Sequence, residues 1–223
     1  MRQKAWMSYL LACSGLLLIP LVGLIYIHLN QDTGKAYSLM TNLDRQIPFI
    51  QGFVVPYLFW YAFLAGGFLY LVYRDRANYV RTLIEFILGL LLCYGVYAIY
   101  QTTVPRPALV GSDWLTQTMQ WVYNSDEPFN CFPSTHVLTA YLMMRAYLRS
   151  KRIARGYQFV TAAIAMLIIV STLFVKQHVI LDLVGAVLVA ESVVYLIERS
   201  RRAWLTGWKA EGVPSDKLER GMK

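Results

Sequence analysis

The chain is 223 residues long, 57% hydrophobic and only 15% charged, whereas an average soluble domain is roughly a quarter charged. Its formal charge of +8 comes from basic residues that interrupt apolar runs instead of gathering into a groove, which argues against a nucleic-acid binder and for a membrane setting. The length suits one domain and not comfortably two.

Taken in chain order, the apolar run from Ala5 to about Leu29 follows a basic start and resembles a signal peptide. It is too long for a cleaved signal and lacks a small-x-small cleavage site, so it reads as an uncleaved first span, with Pro20 as a kink. The segment from Asn30 to Gln51 carries Asp32, Lys35, Asp44 and Arg45 and suits a short interfacial helix. Further spans of roughly 20 apolar residues are predicted at about 52–73, 79–101, 134–149, 157–175 and 178–198. The fourth is short and carries Arg145, which costs about 2.5–3.5 kcal/mol at a span centre.

Charge counting supports keeping that fourth span. With six crossings and both termini cytoplasmic, only Lys35, Arg45, Arg106 and Lys176 of the 21 basic residues fall outside. Dropping it would put the cluster from Arg145 to Arg155 on the wrong side for the positive-inside tendency. Tyr57, Trp60, Tyr61, Tyr73, Tyr97, Tyr100 and Trp121 lie near span ends, where amphipathic rings favour the interface. The expected organisation is an all-α polytopic membrane domain of six transmembrane helices over 1–203, followed by a loosely ordered cytoplasmic tail over 204–223. Cys13, Cys93 and Cys131 have no metal or redox spacing, and no disulfide is assigned.

Three segments then fall on one outer face. Arg106 lies in Val104-Pro105-Arg106-Pro107 beyond the third span, Pro133-Ser134-Thr135-His136 opens the fourth, and Lys176 and His178 precede the sixth. Ser134 to His136 would form a first helical turn whose free N–H groups and dipole attract anions, with Ser134 as cap or phosphate donor. Arg106 offers a planar, permanently charged fork for phosphate oxygens. Asp182 stands four residues after His178, one helical turn, so its carboxylate can face the imidazole, fix its tautomer and leave the other nitrogen free to attack. A carboxylate inside a span also needs a partner.

Each piece alone has an ordinary reading. Val-Pro-Arg-Pro is a common loop, Pro-Ser-Thr-His an ordinary helix start, and His178 with Asp182 could be a structural pair. His28 reads as a helix-contact histidine, and Glu85 and Glu191 as interfacial or interhelical residues. Co-location on one face turns the three segments into a candidate phosphate site.

The three segments resemble the signature of the type 2 phosphatidic acid phosphatase superfamily, the lipid phosphate phosphatases. That signature is a Lys and an Arg-Pro separated by six residues, then Pro-Ser-Gly-His, then Ser-Arg, five residues, His, three residues, Asp. The chain matches at Arg106-Pro107, at Pro133, Ser134 and His136, and at Ser171, His178 and Asp182, and departs at Ile99, Thr135 and Thr172. Lys176 could replace one missing cation. The Phe-Pro-Ser-Thr-His form is similar to the branch that includes inositol phosphorylceramide synthase-like proteins, some of which transfer a phospho-headgroup to another lipid.

The resemblance implies phosphoryl transfer without metal or cofactor. His178 would be the nucleophile, Asp182 its orienting partner and His136 the general acid and base. Arg106, Ser134, Thr135 and Lys176 would bind phosphate. The expected partners are the bilayer and a lipid carrying phosphate or diphosphate, at a site facing outward from the plasma membrane. Transfer to a lipid hydroxyl and non-enzymatic transport of an anionic lipid are the competing readings.

Overall fold

The long apolar runs become helices because a backbone in hydrocarbon must satisfy its own hydrogen bonds. A computed structural model describes residues 9–210. In it α1 covers Tyr9–Leu29, with a 3-10 turn at Gly15–Leu17. That turn lies just before Pro20, whose missing N–H removes the usual α-helical donor four residues on from the Leu16 carbonyl, which takes the Leu18 amide instead. Next come α2 (Asn42–Gln46), α3 (Val54–Arg74), α4 (Arg76–Ile99), α5 (Trp114–Ser125), α6 (Thr135–Arg149), α7 (Arg155–Phe174) and α8 (Ile180–Ala210). Two-residue strands, β1 (Tyr37–Ser38) and β2 (Thr102–Thr103), pair in parallel. The chain is an all-α polytopic membrane protein, with α1, α3, α4, α7 and α8 long and apolar enough to cross a bilayer.

The short fourth segment has a distinct place. Helix α6 has 15 residues, about 22 Å at 1.5 Å per residue, short of the roughly 30 Å hydrocarbon core. It packs against α3, α4, α7 and α8, and Val137, Leu138, Ala140, Leu142, Met143 and Ala146 are fully buried. Its two arginines find carboxylates on neighbouring helices. Arg145 pairs with Glu191 at 3.0 Å, and Arg149 makes two 2.7 Å bonds to the fully buried Glu85. Such pairing is what lets a charged group sit between helices.

An outer layer of short elements covers the end of the bundle that carries the three motifs. Helix α5 is amphipathic and was not expected, since twelve mixed polar and aromatic residues leave no span-like signal. Asp113 caps it, accepting from the amides of Leu115 and Thr116 and from the Thr116 hydroxyl, and these bonds hold its carboxyl below the usual range. Within the segment from Asn30 to Gln51 the short helix that forms is α2, opened by a capping box between Thr41 and Asp44. At the far end α8 continues past the expected boundary at 203 as far as Ala210. No proline interrupts it before Pro214, and the rest of the tail lies outside the described residues.

Candidate active site

The turn between α7 and α8 presents His178. The carbonyl of Thr172 accepts from the amides of both Gln177 and His178, and Lys176 takes a left-handed φ of 54°, which folds the turn back on itself. Helix α8 then begins, and Asp182 comes round under the ring. Its Oδ2 lies 3.2 Å from His178 Nδ1 and accepts the Val179 amide at 2.9 Å. Asp182 is fully buried and its Oδ1 has no protein partner. Because Nδ1–H is donated to the carboxylate, Nε2 is the nitrogen left to react.

The second motif is held against the third by backbone. Ser134 caps α6 by accepting the Val137 amide, and its own amide donates to the Asp182 carbonyl. Just upstream, the Phe132 ring lies on Gly185 of α8, so close that no Cβ would fit there. His136, one residue into α6, stacks on Tyr57 at 4.7 Å and meets the Trp60 ring in a tilted contact at 4.4 Å. Trp60 is itself fixed by donating to the Thr139 hydroxyl at 2.9 Å. The two histidine rings are 6.0 Å apart, centroid to centroid.

Arg106 is held behind this pair. Its Nη1 donates to the carbonyls of Tyr123 and Asp126, and its Nη2 to Gln177 Oε1 at 2.8 Å. The guanidinium also lies over the Tyr123 ring at 4.7 Å. Its Nε and the Gln177 Nε2 are buried donors without protein partners. An unpaired buried donor costs about 1–3 kcal/mol, so both are poised for an anion or a water.

Two cavities meet at these residues. A small polar pocket is bounded by Thr135, His136, Gln177, His178, Asp126 and Tyr26, among others. A cavity of about 740 Å³ runs beside it between α1 and α3, lined chiefly by apolar side chains such as Ile19, Leu24, Leu64 and Phe68. Thr135, His136, Asp126 and Tyr26 border both. The groove is therefore an apolar slot that ends on a polar, histidine-bearing pocket.

Of the residues expected from sequence, His136, Thr135 and His178 border the pocket, Asp182 supports His178, and Arg106 reaches it through Gln177. Ser134 is used as a helix cap. Lys176 lies elsewhere: its ammonium donates to the carbonyls of Asp44 and Ile47, away from the histidines. Burial lowers its pKa, and the nearby Asp44 acts against that. Ile99, at the motif's lysine position, is 86% exposed. His28 is exposed on α1, and the three cysteines are free.

Sequence reasoning missed Gln177 and Asp126. Gln177 could have been noticed as the neighbour of His178, but an amide carries no motif of its own. Asp126 accepts from the Tyr26 hydroxyl at 2.7 Å and from Asn30 Nδ2 at 2.8 Å. Burial raises its pKa, while the Tyr26 hydrogen bond and the charges of Arg106 and His178 act the other way.

Residues 82–205 match the PAP2 superfamily. The chain belongs to that superfamily. The matched stretch takes in Arg106, His136, His178 and Asp182, so all three motif segments lie inside it. No curated protein and no solved structure matches the chain. Membership supports an enzyme of phosphatase or phosphotransferase type with a lipid phosphate function.

Proposed function

We propose that this PAP2-superfamily protein hydrolyses a phosphate ester or anhydride of a membrane lipid through a phosphohistidine on His178. The observation that carries this reading is His136, which borders both the apolar groove and the pocket occupied by His178. A lipid tail in the groove would bring its headgroup to the two histidines. His178 Nε2 attacks phosphorus, and Asp182 stabilises the imidazolium character that develops. The bond from phosphorus to the leaving oxygen breaks, and His136 supplies the proton to that oxygen. Water then attacks phosphorus, His136 takes its proton, and the P–N bond breaks to give inorganic phosphate and free His178.

The equatorial oxygens need electrostatic support as charge shifts. The unpaired Gln177 amide, Arg106 and the first-turn amides of α6 are the candidates. Lys176 is assigned to holding the turn that carries His178. The charge asymmetry of the sequence supports a site on the extracytoplasmic face of the cell membrane. The test is single-turnover reaction of purified protein with ³²P-labelled lipid phosphate: label on His178, lost in His178→Ala, is expected, and steady phosphate release with no labelled protein would overturn the mechanism. The Asp126 carboxylate at the groove mouth can equally face a hydroxylated second lipid, which favours transfer as the second reading. Product formed only when such a lipid is added would select it.

A further inference from the structure

A carboxylate beside a phosphate pocket is an unexpected neighbour, because it repels the anion that the pocket must hold. Asp126 is nonetheless built in firmly. Both of its hydrogen bonds, from Tyr26 and Asn30 of the α1 end, fall on Oδ1. No described group donates to Oδ2, and the side chain stands where the apolar groove opens into the histidine pocket. A fixed acceptor there would lower affinity unless the ligand brings its own donor. The buried and unpaired Gln177 Nε2 in the same pocket is suited to the phosphate, so the pocket has a donor for the anion and an acceptor for something else.

We propose that Asp126 Oδ2 accepts a hydrogen bond from a hydroxyl or ammonium group placed next to the phosphoester carbon of the lipid, so that Asp126 sets which lipid phosphates are turned over. The proposal rests on the lipid phosphatase reading. It makes Asp126 a specificity residue that leaves the phosphoryl chemistry to the histidines. The orientation follows from the cavities: tail in the groove, phosphate at His178, and the donor-bearing carbon at their junction.

The test compares three single-chain probes on purified protein: lysophosphatidic acid, which carries the hydroxyl, its 2-deoxy analogue, which carries no donor, and sphingosine 1-phosphate, which carries an ammonium. Asp126→Asn keeps the shape and an acceptor for Tyr26 but removes the charge. A hydrogen bond to a charged group corresponds to about ten- to a hundredfold in affinity. The expected result is a fall of at least about tenfold in kcat/KM for one or both donor lipids, with the deoxy lipid within about threefold of wild type. An equal fall for all three would make Asp126 a structural brace, and no change for any would make it a bystander; either overturns the proposal. If only the ammonium lipid responds, the recognised donor is the cation; if both respond, it is the shared position.

If wild type releases phosphate from none of them, hydrolysis of single-chain phosphate monoesters is excluded while the subsite stays testable. Quenching of Trp60 and Trp121, which line the groove, then gives Kd for the same lipids. Equal Kd for donor and deoxy lipids would overturn the subsite, and a donor preference lost in Asp126→Asn would support it. Should Asp126→Asn not fold, wild-type preference decides, with equal kcat/KM across the three counting against the proposal.

Discussion

Asp182 Oδ2 lies 3.2 Å from His178 Nδ1 and is shared with the Val179 amide, so one carboxylate both orients the ring and closes the first turn of α8. Asp182→Asn keeps the size but can present an N–H to the ring. It should therefore favour the wrong tautomer and lower kcat by about 10²- to 10⁴-fold. His178→Ala should leave almost nothing, whereas His136→Ala should lose about 10²- to 10⁴-fold. Phosphate release under saturating lipid measures all three, and equal mild losses would sink these roles.

Gly185→Ala places a Cβ against the Phe132 ring. Either the ring or α8 must shift, and the second motif moves relative to His178. A misplacement of about 1 Å can cost about 10²-fold in rate. The expected variant is folded in detergent and at least about tenfold slower, with KM changed less than kcat. Wild-type kinetics would mean that the ring yields freely.

Gly23 faces the groove with open space around a notional Cβ. Gly23→Phe should fill that space and raise KM for a long-chain lipid phosphate about ten- to twentyfold, equivalent to two methylenes at about 0.8 kcal/mol each. A soluble four-carbon phosphate monoester should be unaffected. Parallel changes for both substrates would argue that the groove does not hold the tail.

Glu85 is fully buried and receives both Arg149 and Arg81. Glu85→Ala leaves Arg149 without its carboxylate inside the bundle, and breaking a buried pair of this kind typically costs about 3–5 kcal/mol. Thermal unfolding in detergent should show a clear drop in Tm, while Arg202→Ala, at an exposed pair, should leave it unchanged.

Asp44 joins α2 to the start of α8, just after the turn that carries His178, by accepting the Ile180 amide at 2.7 Å. Burial pushes its carboxyl up, but hydrogen bonds from Thr41 and Ile180 outweigh that and hold it below the usual value. The folded value is depressed, so this stabilisation is present above the ordinary aspartate value of about 3.9 and is lost as pH falls through the folded one. Asp44→Asn should show a shallower loss of stability on acidification than wild type. Identical acid profiles by circular dichroism would remove Asp44 from this role.

Much of this arrangement was legible because hydropathy and charge are local properties. The five long helices follow from apolar runs, and the four-residue spacing from His178 to Asp182 signalled the pair, although His178 stands in the turn before α8 and not on the helix itself. Segment 134–149 was readable as a helix, but its enclosure by four others depends on side chains from distant parts of the chain. The same limit hid the partners of the cations. Lys176 has the right residue type and lies near His178 in sequence, yet a left-handed backbone turn sends its side chain to α2. Asp126 carries no spacing signal, because Tyr26 and Asn30, which define its position, lie about 100 residues away.

The groove between α1 and α3 has a kinetic consequence. Several of α1's apolar side chains, including Leu10, Leu17 and Leu21, are exposed, so the slot's outer wall is set against the hydrocarbon phase. A ligand reaching the histidines along it travels within a two-dimensional fluid. For such a site the governing concentration is the lipid's share of the surrounding leaflet. Diluting the substrate with inert amphiphile should slow turnover even when its amount per millilitre is held constant.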